Sequence, residues 1–177
     1  MRTIHRQRWN RWLLAAVLPV ALLGTGCHAT GMGWIPSSLA PGDKATFGFS
    51  FDGPTIDSPT GTLSGSYHDP QGRLASGAVV SVDLKGTGKL SPCSTDPRCQ
   101  TLAPPSKGGC VAGEPDYQSQ NQKVPGGGFL FLLLCDVDGD GQTDGTGSDF
   151  IFIQVDTGPY TGYRNFGNPQ GEITVRQ

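Results

Sequence analysis

Glutamate and histidine are scarce in this chain of 177 residues: Glu114 and Glu172 are the only glutamates, and the three histidines are His5, His28 and His68. A glycosidase built on two glutamates would need Glu114, in an irregular stretch, and Glu172, close to the C-terminus. A serine triad would have to draw on His68, whose neighbour Asp69 points the other way if the segment is a strand, and no Gly-x-Ser-x-Gly elbow occurs. No Cys-x-x-Cys pair is present. The nearest spacing, Cys93-x5-Cys99, is poor for zinc. Beyond residue 26 no segment holds apolar residues at helical spacing for three turns. These absences lead us to expect a non-enzymatic protein whose mature part is built mainly of strands, preceded by a cleaved signal helix.

What is present begins with a targeting segment over residues 1–26. Arg2, Arg6, Arg8 and Arg11 make a basic start, and Leu13 to Leu23 is uncharged and apolar. That run is well short of the roughly 20 residues of a spanning helix. Leu22-Leu23-Gly24-Thr25-Gly26-Cys27 follows, and such a signal, ending in small residues and then Cys, resembles that of a bacterial lipoprotein. The resemblance implies cleavage before Cys27, acylation of its thiol and a domain held at a membrane surface without spanning it. Ordinary secretion is the alternative. Without the leader, 9 basic residues face 15 acidic ones, a net of −6, which argues against nucleic acid as a partner. The four remaining cysteines, Cys93, Cys99, Cys110 and Cys135, suit two disulfides in an exported protein. Three connectivities are possible, and nesting Cys99–Cys110 inside Cys93–Cys135 is the preferred one.

Apolar residues gather in short bursts among 27 glycines and 14 prolines. Ala45, Phe47, Phe49 and Phe51 alternate with small polar residues as in a half-buried strand. Further strands are expected over 60–68, 77–84, 128–135, 149–155 and 172–176, with Pro41-Gly42 and Asp69-Pro70 as turns. The expected fold is all-β, an antiparallel sandwich or small barrel of about six or seven strands. Residues 27–42 would be anchor and linker, 43–177 a single domain, and 91–127 a disulfide-tied irregular excursion, since it shows no periodicity and holds three cysteines.

Several islands resemble a small β domain of bacterial secreted proteins that is often found after choice-of-anchor domains. They are Gly31-Met-Gly-Trp34-Ile35-Pro36, Lys44-Ala-Thr-Phe-Gly-Phe49, Gly65-Ser-Tyr67-His68-Asp69, Asp149-Phe-Ile-Phe-Ile153, Gly162-Tyr163 and Gly171-Glu-Ile-Thr-Val175. The resemblance implies a secreted β fold and carries no catalytic residues with it. The chain departs from the pattern at Pro70, where the family has a second His, and at Gln170-Gly171-Glu172-Ile173, where it has Gly-Gly-Asn-Ile.

The strongest site chemistry is Asp136-Val-Asp138-Gly-Asp140-Gly141-Gln142-Thr-Asp144, between two apolar bursts. Oxygen ligands at alternate positions, with Gly at the sharp turn, are the donor set of calcium. Asp136, Asp138 and Asp140 would converge on one ion, Gln142 would offer its main-chain carbonyl and Asp144 a further carboxylate. Asp149 would complete the shell directly or through water. The loop is not an EF-hand, because position 12 is Gly147 and strands flank it. It resembles the Asp-rich loops that join paired strands in integrin-type propeller blades. A solvated acidic turn is the competing reading. Trp34, Tyr67 and Tyr163 would mark a sugar groove if they lined one beside free carboxylates, in which case an enzyme or accessory domain acting on envelope polysaccharide would be favoured.

Overall fold

In a computed structural model, residues 28–38, 40, 42–52, 61–139 and 149–176 are described. The leader, Cys27, Asp140, Gln142 and Asp144 lie outside them. The chain forms β1 (His28–Pro36), β2 (Lys44–Asp52), β3 (Gly61–Arg73), β4 (Val79–Pro92), α1 (Pro97–Leu102), β5 (Gly109–Gly113), β6 (Asp116–Ser119), β7 (Gly127–Asp136), β8 (Phe150–Val155), β9 (Arg164–Gly167) and β10 (Gln170–Arg176). All pairings are antiparallel, in the order β10-β1-β2-β3-β4-β5-β7-β8-β9, with β6 between β4 and β7. The all-β expectation holds, with ten strands in place of six or seven.

The sheet folds back on itself. Alternation sends Phe47, Phe51, Leu63, Leu84 and Leu90 inward from one layer, where they meet Leu130, Leu132, Leu134, Ile151 and Ile153 from the other in one buried cluster. A single register row crosses six strands as Gly31, Phe49, Gly65, Gly86, Tyr117 and Gly128. A methyl on Gly31 would run into the Phe49 ring, so the glycine makes room for an aromatic on the neighbouring strand. The space left along this crease is a cavity of about 40 Å³ lined by groups such as Phe47, Leu63 and Ile153. That admits a few waters at most, far below the roughly 300 Å³ at which ligand pockets start.

Three expectations need correction. Residues 28–36 are not linker: β1 is hydrogen-bonded between β2 and β10 from His28 onward. Its glycines and exposed Met32 hid the inward alternation of Ala29 and Ile35. Asp69-Pro70 is not a turn but part of a bulge inside β3, between Asp69 and Gly72. A Pro is tolerated in a strand at such an irregularity. The chain reverses instead at Leu74–Ala78, where Gly77 has a φ of 84°. Finally, the disulfides are Cys93–Cys99 and Cys110–Cys135. Antiparallel pairing of β5 with β7 puts Cys110 directly opposite Cys135, with Cα atoms 4.1 Å apart, so strand register decides the connectivity.

The excursion is only partly irregular. Asp96 caps α1 by accepting from the amides of Arg98 and Cys99, and Pro97 occupies the first turn. Cys99, Leu102 and Ala103 pack on Phe131, Leu133 and Phe152, the outward side chains of β7 and β8. This explains why β7 reads as an unbroken apolar run: both of its faces are covered. Arg98 lies over the Phe131 ring at 4.0 Å and makes two hydrogen bonds to Asp156, at 2.9 and 3.2 Å.

Candidate metal centre

β7 ends at Asp136 and β8 begins just after Asp149, so the strand pairing brings the two carboxylates together. Among the described residues, Asp136, Asp138 and Asp149 form a group whose ligand oxygens all lie within 4.8 Å of one another. Oxygens that share one calcium ion, with bonds of about 2.4 Å, stand at most about 4.8 Å apart, so all three are close enough to bind the same ion. The donor set is all oxygen, which suits a hard cation and not a thiophilic one. Three of the six expected ligands are thus gathered in one place; Asp140, Gln142 and Asp144 fall outside the described residues.

Two of these carboxylates also perform a structural task. Asp136 accepts from the amide of Gly139 at 2.7 Å and, across the sandwich, from that of Val175 at 3.3 Å. Asp149 accepts from Val137 at 3.2 Å and from Ile173 at 2.7 Å. Ile173 and Val175 sit on β10, whose other edge pairs with β1. The carboxylates therefore take the place of a missing neighbour strand and close the seam of the sandwich. Each carboxylate offers about four lone-pair positions, so two amides leave capacity for a cation. Burial pushes the Asp149 carboxyl up to about 6; its backbone hydrogen bonds pull the other way, and the charges of Asp138 and Asp136 add to the rise. Such crowding is what a bound cation would relieve.

A second polar cluster was missed by sequence reasoning. Tyr67 and Asp69 point inward and His68 outward, as strand alternation requires. The Tyr163 hydroxyl donates to Asp69 Oδ2 at 2.6 Å. With its only proton so used, it accepts from the Tyr67 hydroxyl at 2.6 Å, which in turn accepts from Asn165 Nδ2 at 2.9 Å. Asp69 Oδ1 takes the amide of Gln71 at 3.0 Å, and Asn165 Nδ2 also reaches the Pro36 carbonyl at 3.1 Å. All four side chains are buried. Burial is the main cause that pushes both phenols above their ordinary range. Alternation combined with the pair Tyr67 and Asp69 was the signal that could have revealed this knot.

The remaining candidates disperse. His68 stands exposed, 3.9 Å from Asp83. Glu114 pairs with Arg98 at 3.5 Å, whereas Glu172 accepts from Thr174. Trp34 is half-buried beneath the Lys44 ammonium, 4.3 Å from its ring. Tyr67 and Tyr163 are interior, so the three aromatics share no groove. No protein-family model matches this sequence, and neither does any curated protein or solved structure.

Proposed function

We propose that the protein is an exported, lipid-anchored, non-enzymatic β module of the cell envelope, with a calcium ion clamping the seam between β10 and the β7–β8 end. The observation that carries the clamp is the convergence of Asp136, Asp138 and Asp149 on a point where two of them already bind the edge of β10. The anchor rests on the leader and Cys27. A structural or binding role draws support from the consumption of the buried carboxylates: Asp69 by a tyrosine, Asp136 and Asp149 by backbone amides. The envelope-polysaccharide reading has no such support, because its three aromatics do not converge. Resemblance to the domain found after choice-of-anchor modules agrees with a secreted β scaffold.

Extracellular calcium modules bind at about 10⁻⁴ to 10⁻³ M. At about 10 mM calcium this amounts to roughly 1.4–2.7 kcal/mol of added stability. Melting the disulfide-intact domain in calcium and in chelator should show a rise of several degrees in calcium, and Asp138→Asn should remove most of it. Identical curves under both conditions would refute the clamp.

A further inference from the structure

We propose that the domain stands directly on the bilayer, with the end of the sandwich that carries His28, Asp52 and Asp136 resting in the phospholipid headgroup layer. This rests on the lipid-anchor reading above and adds an orientation to it. The length of chain between anchor and fold decides the matter. Cys27 is one peptide bond from His28, and His28 is already paired with Asp52 on β2 and Arg176 on β10. One residue spans at most about 3.6 Å. An acylated Cys27 is therefore fixed to a strand held on both sides, with no tether that would let the domain tumble.

The register then says what else lies at the membrane. Asp52 is exposed and hydrogen-bonded to His28 at 3.1 Å. Thr62 lies opposite Asp52, and exposed Lys89 opposite Thr62. Val175, opposite Ala29, carries the amide that Asp136 accepts, so Asp136 belongs to the same end. Asp138 and Asp149 share this end with Asp136, so the rim is mainly acidic with His28 and Lys89 as its basic groups, which suits a zwitterionic headgroup layer better than an anionic one. Trp34 lies six residues beyond His28 along β1, about 20 Å further out at the strand rise. The groove between Val79–Asp83 and Gln120–Val124 also lies at the far end, since Asp83 is level with His68, Thr46 and Trp34. That groove faces away from the membrane.

The mature chain supplies its own probe, because Trp34 is its only tryptophan; Trp9 and Trp12 are in the leader. The lipidated protein, expressed with its own leader and extracted from membranes, is placed in phosphatidylcholine vesicles carrying nitroxide-headgroup lipid. Quenching of Trp34 is compared with that in Trp34→Phe/Asp52→Trp, and with Trp34→Phe/Thr62→Trp should the first variant fail to fold. Tryptophan at 52 or 62 should be quenched several-fold more than Trp34. Equal quenching, or stronger quenching of Trp34, overturns the orientation. Intact-mass analysis reads the anchor separately: a chain beginning at Cys27 without added lipid overturns the lipid reading and the orientation together, whereas lipid present with equal quenching overturns the orientation alone.

Discussion

A buried hydroxyl or carboxyl matters to stability according to what is left unpaired when its partner goes. Tyr163 is the middle of a one-way chain of donors. Tyr163→Phe takes a donor from Asp69 and an acceptor from Tyr67, and should cost about 1–3 kcal/mol in urea denaturation. Tyr67→Phe leaves Tyr163 bonded to Asp69 and Asn165 bonded to Pro36, so it should cost clearly less. A larger loss for Tyr67→Phe would show that the donor order is wrong. Gly108 is pressed against the Asp136 carboxylate, where an added methyl would overlap it. Gly108→Ala should therefore lower stability by about 1–3 kcal/mol and blunt the response to calcium, both measurable in the same melts. The spacing of Asp136 and Asp138 was legible because alternate oxygens are a local pattern. The role of Asp69 was not, because Asp-Pro reads as a turn until a bulge carries the strand through it.

At the level of elements, the long strands could be read wherever apolar and small residues alternate, as in β2 and β3. β5, β6 and β9 could not, since four or five residues hold too few alternations to separate a strand from a loop. The cysteine pairing failed for the same reason: without β5 there is no register to set Cys110 against Cys135. This disulfide closes a separation of 25 residues, against 6 for Cys93–Cys99. Loop-closure entropy then makes replacing Cys110 and Cys135 together the costlier change, about 3 kcal/mol, measured as a shift in the urea midpoint. Over the excursion, burial alone would raise the Asp156 carboxyl, but its hydrogen bonds from Arg98 and Gln154 outweigh this and hold it below the usual range. Its contribution is present above the unfolded carboxyl value and lost as pH falls through the depressed one. Since both side chains are only partly buried and keep access to water, the effect should stay within about 1 kcal/mol. Comparing acid titrations of stability for the native chain and Asp156→Asn should show a shallower fall in the variant.

For the molecule as a whole, the two ends of the sheet path do not close by a continuous ladder. β10 is held across the seam by Asp136 and Asp149, and β9 reaches β1 through Asn165 and the Pro36 carbonyl. Layers and core follow from composition and alternation, but a seam made of three side chains leaves no periodic trace. The pairing of β1 with β10 has a kinetic meaning as well. In any passage of the chain from its N-terminus forward, β1 arrives first and can find β2 at once, yet its other edge waits for the last strand of the fold. Contacts of such sequence separation form slowly. Throughout that interval the outer edge of β1 stands open and Asp136 and Asp149 lack the amides of Val175 and Ile173, so arrival of β10 is the step that ends the nascent chain's exposure.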